Sequence, residues 1–473
     1  MPHYLRSTLY SADLRERFNP QFHSRDLDDG DSSSAELVEH YGQSFVWDSS
    51  LHSTPAHLDR LRQQGDAAMD AALDELNPRP RDDVLAQLRE APAGGAAANL
   101  YRDLMLEPAW LDWDLLAAGQ QVYLRYLPAA SLTLFNMSLV GGFSAPKITK
   151  VLERSGYLVG NPASVMRRLL DTGRLLVDCC ADGPDAMRPG GTGWCAAIRV
   201  RALHAKVRRR LLRLGSTCSK GGGGSSGGGG GLCPFGFDGP ADGGCSGGGG
   251  DSCPGETSAS TAAAAATPVG GAWDVVAYGV PINQEDMAAT LLAFSYNVLV
   301  GIEAIRAAPL PRSEQAAYLH LWRYMGRLLG VDDEHNPCSG GPPRAKAALE
   351  SIVVHLLHPD GLSVRVAHHL LRAPYAASNR RGDAAYEQAG FVRSAQLTRL
   401  LVGDELGDAL QLPFELRARE AARRTLRWVR LYSYVCETPL LGAALVACHR
   451  YALRLMQLCK GEELFPMLCP QLK

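Results

Sequence analysis

The chain has 473 residues, a formal net charge of −2 and 46% hydrophobic residues, values typical of a globular protein with a sizeable core. This near-neutral charge gives no overall attraction to nucleic acid or membrane, so either partner would need a local basic patch. The N-terminus lacks the apolar segment of a secretory signal, so an intracellular location is the default expectation. The twelve cysteines include no CxxC pair, which predicts free thiols rather than a structural zinc site.

Composition divides the chain into four parts. Residues 215–272 are rich in glycine, which predicts a disordered insertion because such a tract buries too little apolar surface. A flexible tract of this length can rejoin adjacent elements, so it need not separate two domains. We therefore expect it to interrupt one helical domain over 55–433, with an N-terminal extension over 1–54 and a C-terminal helical segment over 434–473.

Apolar residues recur at helical spacing along most of the chain, whereas strand alternation is scarce. The predicted fold class is all-α. The charge-free stretch 127–146 is interpreted as a buried core helix followed by a turn, because prolines, glycines and polar residues interrupt it. The predicted helices are 55–76, 100–127, 161–180, 283–305, 313–330, 345–358, 363–372, 386–402 and 416–433.

The helix predicted over 161–180 carries a possible site. Arg168, Asp171 and Thr172 stand at i, i+3 and i+4, which places them on one helical face. They could form a solvated Arg–Asp pair beside a threonine, or a polar triplet directed at a ligand. Spacing alone favours the solvated pair.

The helix predicted over 197–214 places His204 within an apolar stripe. One interpretation is a core histidine with a hydrogen-bond partner, because an unpartnered buried imidazole costs about 1–3 kcal/mol. The other is a proximal ligand to a haem iron, with the surrounding cations available to the haem propionates. The stripe is Ala197, Val200, His204, Val207, Leu211 and Leu214. The cations are Arg199, Arg201, Lys206, Arg208, Arg209, Arg210 and Arg213.

Two later features are less suggestive of chemistry. Asn283 and Asp286 are spaced as in a capping box, so the Asn283–Asp286 run predicts a helix cap and a packing device. A non-haem metal site could be built from four histidines, but no acidic or cysteine partner at helical spacing completes it. The four are His355, His358, His368 and His369.

Five segments, in order, together resemble the latex-clearing rubber oxygenases, which share a catalytic domain with the ER-bound oxygenases of fungal meroterpenoid pathways. This resemblance implies a globin-like helical core that holds b-type haem, with His204 as the proximal iron ligand. The five segments are 61–76, 151–178, 197–208, 278–295 and 319–331.

The resemblance also implies residues on the distal side of the haem. Arg168 and Thr172 match the family's distal motif, and Glu153 matches, with a one-residue offset, the acidic residue proposed as a base. Asp171 stands where rubber-degrading members have a lysine, which weakens the case for rubber itself as substrate. The implied reaction is cleavage of an isoprenoid C=C bond with O2 to carbonyl products, the substrate being a prenylated small molecule or a polymer.

Two other functions remain open at this stage. A peroxidase-like enzyme or a haem sensor would need the same proximal ligand and a polar distal group. The basic helix around His204 could instead bind nucleic acid or an anionic membrane, although its apolar stripe suits burial and aromatic residues are scarce there. The haem hypothesis expects no nucleic-acid partner.

Overall fold

The structure, a computed structural model, describes residues 36–79, 81–156, 161–216, 272–379 and 382–458. Most of the predicted insertion over 215–272 lies outside these described residues. The elements before it are β1 Glu36–His40, β2 Gln43–Trp47, α1 Pro55–Arg62, α2 Ala67–Leu76, α3 Val84–Glu90, α4 Ala96–Met105, α5 Trp113–Arg125, α6 Leu127–Thr133, a π-helix Leu134–Gly141, a 3-10 helix Gly142–Ser144, α7 Pro146–Ser155, α8 Pro162–Cys180, a 3-10 helix Pro184–Met187 and α9 Thr192–Ser216.

Every regular element in the second half of the chain, among its described residues, is a helix. Its elements are α10 Val275–Tyr278, α11 Gln284–Phe294, α12 Tyr296–Arg306, α13 Arg312–Leu329, α14 Gly341–Leu356, α15 Gly361–Ser378, α16 Ala384–Val402, α17 Asp404–Ala409, α18 Leu416–Cys436 and α19 Pro439–Leu458. The all-α prediction is confirmed, with one small two-stranded sheet added to it.

That sheet is an antiparallel hairpin in which Val38 pairs with Phe45. Phe45 is 1% exposed and belongs to the main hydrophobic core. His40 adds a hydrogen bond of 2.8 Å between Nε2 and the carbonyl oxygen of Leu357. The hairpin is thus attached to the helical body by a buried aromatic ring and a polar contact.

Capping residues determine where several helices begin. The helix predicted over 55–76 is in fact two helices, because Asp66 accepts a hydrogen bond of 3.1 Å from the Met69 amide and starts α2 anew. Asn161 caps α8 as predicted. Asn283 and Asp286 form the predicted capping box at the start of α11.

The charge-free stretch 127–146 is a buried core segment, as predicted, but its backbone is not a simple helix. It passes from α6 into an eight-residue π-helix and then into a 3-10 helix. π-Helical turns are rare and occur often at functional sites. Seven residues between Met137 and Ala145 line an apolar cavity that is described below.

Among the described residues, one helical stretch, Gln284–Arg306, is long and apolar enough to cross a membrane by length and composition. It is α11 and α12 together, and 78% of its most apolar window is buried inside the protein. Helices α18 and α19 pass the same test only as a pair, and their axes are bent by 113°.

Helices α5 and α13 approach each other closely in the core. A Cβ atom on Gly119 of α5 would lie 2.3 Å from the carbonyl oxygen of Ala317 on α13. Any side chain at position 119 would therefore force the two helices apart. The six cysteines that the structure describes are all free, in agreement with the sequence prediction.

Candidate functional site around His204

Helices α8 and α9 meet where α8 ends and α9 begins. A Cβ atom on Gly193 would lie 2.9 Å from the Cα atom of Cys179, so glycine permits this close approach. Arg168 precedes Cys179 by eleven residues, and His204 follows Gly193 by eleven. At the rise of an α-helix, both residues lie about 16 Å along their helices from the contact.

His204 lacks the partner that a structural core histidine requires. Its Nδ1 atom is buried without a hydrogen-bond partner, and no described residue bonds to either ring nitrogen. The residue as a whole keeps partial exposure, as do Val200 and Val207 on the same stripe, whereas Ala197 and Leu211 are buried. His204 is thus partly accessible as a residue, while its Nδ1 atom is buried and has no partner.

The charge state of His204 is determined mainly by its surroundings. Burial, with a smaller contribution from the Arg208 cation, lowers the pKa of His204 to about 4, while the Asp66 carboxylate opposes this shift. The ring is therefore neutral near pH 7. A neutral imidazole has a lone pair available, which is the form that coordinates a metal.

Helix α8 also borders open space. A Cβ atom built on Gly173 would meet no heavy atom within 4 Å. Leu169, Leu170 and Leu175 of the same helix are only partly buried, although they are apolar and in its middle. Unfilled volume beside apolar side chains is what a large apolar cofactor or ligand would occupy.

Most of the cations around His204 are bound to protein groups. Arg201 forms two hydrogen bonds with Asp66, of 2.6 and 2.8 Å. Arg208 bonds to Asp70 at 2.6 Å and to two backbone carbonyls. The other pairs are Arg199 with Asp83, Lys206 with the carbonyl of Asp82, and Arg209 with Asp74. For these five cations, the suggestion that they meet haem propionates is therefore not supported.

Arg168, Asp171 and Thr172, called the α8 triplet below, lie on one face of α8 as predicted, but the two charged side chains are not tightly paired. The closest Arg168–Asp171 nitrogen–oxygen distance is 3.9 Å, a marginal ion pair. The Thr172 hydroxyl donates to the Arg168 carbonyl at 3.0 Å, so its proton is held within its own helix. The threonine oxygen keeps a lone pair, and rotation of the hydroxyl would free its proton for a ligand.

Burial raises the pKa of Asp171 above that of an ordinary aspartate, and nearby cations, Arg168 the strongest of them, partly offset this effect. The carboxyl is thus tuned toward accepting and releasing a proton closer to neutral pH. Its side chain is 41% exposed, which leaves it accessible.

Glu153 has a different environment on α7. It pairs with Lys150 at 2.5 Å and with Arg365 at 3.4 Å. The Lys150 ammonium also lies 5.9 Å from the centre of the Tyr278 ring. Glu153 thus links α7 to α15 through two ion pairs.

The histidines of the non-haem alternative face different surroundings. His355 lies edge-on to Trp47 of the β-hairpin, whereas His368 bonds to backbone carbonyls near Leu410. Among the described residues, no group of three or more His, Cys, Asp or Glu side chains could hold a metal ion. The four-histidine alternative is therefore wrong.

The acidic partners of α9 were not predicted from the sequence, although their spacing in the sequence indicates them. Asp66, Asp70 and Asp74 recur every four residues at and along α2, which places them on one face. That face meets the basic side of α9. Complementary charge stripes on two helices would have indicated this pairing.

A second missed feature is the backbone strain at Ile282. Its φ angle is +53°, in a region that β-branched residues rarely adopt. The Ile282 carbonyl accepts a hydrogen bond of 2.9 Å from Arg208, and its side chain packs near Val207 and Leu211 of α9. The strained residue therefore lies against α9 one to two turns beyond His204.

An apolar cavity of about 120 Å³ lies apart from His204 and the α8 triplet. The π-helix and the start of α7 form one wall of this cavity, and α11 and α14 form others. Its few polar groups include Ser138 and Asn297, which are hydrogen-bonded to each other at 3.0 Å. Its lining includes Met137, Phe143, Ile148, Phe294, Ile352 and Val402.

Comparisons with known proteins agree with the resemblance seen in the sequence. Residues 260–431 match the family described as "ER-bound oxygenase mpaB/B'/Rubber oxygenase, catalytic domain". The solved structure of latex clearing protein LCP in the closed state superposes with a TM-score of 0.52 at 18% identity, covering 88% of this chain and 96% of that one. No curated protein matches the sequence.

The structural match shows a shared fold, and the family match over residues 260–431 is to an oxygenase catalytic domain. The chain is thus similar to the rubber oxygenase catalytic-domain family over residues 260–431 and has the helical fold of latex clearing protein.

Proposed function

We propose that this protein is a haem-dependent oxygenase that cleaves an isoprenoid C=C bond with O2 and releases carbonyl products. The observation that carries the proposal is the environment of His204: a neutral imidazole with a buried, unpartnered nitrogen. Because a porphyrin supplies four nitrogen ligands itself, a single protein imidazole is enough to hold its iron.

The residues present fit a b-type haem. His204 of α9 would hold the iron, and the half-covered apolar residues of α8 and α9 would contact the porphyrin. The open volume at Gly173 is consistent with such a group. When bound, the haem would supply the one-electron chemistry that activates dioxygen.

We assign charge stabilisation and proton transfer to the α8 triplet. The Arg168 cation and the Thr172 hydroxyl would stabilise negative charge that develops on the oxidant. Asp171, with its raised pKa, would accept the allylic proton from the substrate. Glu153, between two cations, fits a structural role better than that of a base.

The substrate chain needs an apolar path, and the cavity behind the π-helix is suited to it. Its volume of about 120 Å³ is close to that of engineered apolar cavities that bind benzene. One branched five-carbon unit is of this size. We therefore place a non-reacting part of the isoprenoid there, away from His204.

The test is a visible absorption spectrum of the purified chain, before and after dithionite, together with a pyridine haemochrome assay. We expect about one haem per chain, and carbonyl products when an isoprenoid and O2 are supplied. A haem-loaded protein that leaves every isoprenoid intact would favour the sensor or peroxidase-like alternative. A folded protein that takes up no haem would contradict the proposal altogether.

A further inference from the structure

The outer side of α18 and α19 exposes an unusual amount of apolar surface. More than half of the exposed large apolar side chains among the described residues lie between Phe414 and Tyr451. Leu440 is 90% exposed and Trp428 is 70% exposed. Contiguous exposed apolar patches mark interaction sites.

These side chains form a single face on each helix. On α18, Trp428 and Leu431 follow Arg417 and Arg424 at helical spacing, and Arg427 and Tyr434 extend the same side. On α19, the exposed residues Leu440, Ala444, Ala447 and Tyr451 recur every three or four positions. We call this set the outer face; it consists of Arg417, Arg424, Arg427, Trp428, Leu431, Tyr434, Leu440, Leu441, Ala444, Ala447 and Tyr451.

The arginines of the outer face differ from the other arginines of α18. Arg419 pairs with Asp404, and Arg430 donates to the Ile305 carbonyl. Arg417, Arg424 and Arg427 form no ion pair or hydrogen bond with any residue that the structure describes. Three cations thus lie beside exposed tryptophan and leucine side chains without an ion pair to any described residue, and the nearest carboxylate along the same face, Glu420, pairs with Arg423 instead.

We infer that the outer face docks onto the surface of an anionic lipid bilayer. Apolar side chains flanked by arginine, with tryptophan and tyrosine between them, fit the boundary between acyl chains and charged headgroups. The same face would suit a second copy of the chain poorly, because a symmetric contact would bring its unpaired arginines together. A nucleic acid would leave Leu440 and Leu441 without apolar partners.

A cavity beside this face supports the same occupant. It has a volume of about 400 Å³ and lies in the corner between α5, α18 and α19. Arg125, Glu437 and Arg450 line it. Arg125 is paired with Glu314 and Glu437 with Arg306, whereas the Nε atom of Arg450 is buried without a hydrogen-bond partner. A phosphate headgroup at the bilayer surface would supply the acceptor that this guanidinium lacks.

The test uses the full chain and sedimentation with two kinds of vesicle, phosphatidylcholine alone and phosphatidylcholine with phosphatidylserine. We expect binding to the anionic vesicles, weakened by salt. The double variant R424E/R427E should bind them at least about tenfold more weakly, since each cation near the surface contributes measurably. The double variant W428S/L440S should also bind more weakly, and this loss should persist at high salt.

The matched control is R89E/L106S, which changes an exposed arginine and a 60% exposed leucine away from the outer face. It should bind as the unmodified chain does. All variants are checked by their melting temperature. Failure of the unmodified chain to bind, equal binding to both vesicles, or equal loss in the control would overturn the proposal. If the unmodified chain binds no vesicles but forms a dimer that W428S/L440S abolishes, the outer face is a contact with a second copy instead.

Discussion

Arg201 of α9 holds Asp66 at the start of α2 through two hydrogen bonds of 2.6 and 2.8 Å, with both side chains less than a tenth exposed. Asp66 also caps α2. This buried pair attaches α9, the helix that carries His204, to α2.

We expect R201Q to lower the free energy of unfolding by about 3–5 kcal/mol, because it leaves a buried carboxylate without its cation. The matched variant is R199Q on the same helix, whose pair with Asp83 is more than 40% exposed on both sides. R199Q should lower the free energy of unfolding by about 1 kcal/mol or less. Urea denaturation of both variants measures the difference, and similar losses in the two would contradict the assignment.

Replacing His204 should remove haem without unfolding the chain. H204Q keeps a polar side chain of similar size but supplies no imidazole, so haem content should fall by at least about tenfold. H368Q is the control, since His368 bonds to backbone carbonyls away from the site. Haem per chain is measured by pyridine haemochrome. Full retention of haem in H204Q would show that another residue holds the iron.

The stability of the haem-free chain should depend on pH through His204. Its pKa is about 4 in the folded protein and about 6.5 when unfolded. Below pH 6.5 the unfolded state takes up a proton that the folded state resists, so stability is lost as the pH falls from 6.5 toward 4. Thermal melts of the haem-free wild type and H204Q should diverge across this interval, with the variant less sensitive. Parallel pH profiles would exclude a buried neutral ring.

The roles of the two acidic residues can be separated by turnover. D171N should keep haem and lower kcat by about 10²-fold, because it removes the proposed proton acceptor. E153Q should affect kcat less and melting temperature more, since it weakens the contacts with Lys150 and Arg365. The opposite ranking in a carbonyl-product assay would make Glu153 the base.

The open volume beside α8 gives a test of where the haem lies. G173A should raise the free energy of unfolding by about 1 kcal/mol, because alanine favours a helix and meets nothing within 4 Å. G173F should fold as well as G173A but take up much less haem, since its ring would occupy the space. Equal haem content in the two variants would place the cofactor away from Gly173.

Local features of the fold could be predicted closely from the sequence. The caps at Asn161 and Asn283 lie where spacing placed them, and α13 ends at the left-handed Gly330 as expected. These features depend on neighbouring residues only. The π-helix could not be predicted, because its backbone is determined by packing between distant helices.

The candidate site, too, could be predicted only where it depends on neighbouring residues. The apolar placement of His204 could be read from helical periodicity, and so could the shared face of Arg168, Asp171 and Thr172. The absence of a partner for the His204 ring could not, because it depends on which side chains of other helices come near. The pairing of its neighbouring cations with Asp66, Asp70 and Asp74 is likewise a tertiary property.

The π-helix over Leu134–Gly141 makes this wall of the cavity sensitive to chain length. A π-turn holds one more residue than an α-turn, so deleting a single residue here would let the segment relax into an ordinary α-helix. Because the deletion and the loss of the wide turn offset each other, the helices on either side would keep their register, and only side chains within the segment would change the direction in which they point. Deletion of a single codon could in this way change which residues line the cavity while leaving the helices on either side intact.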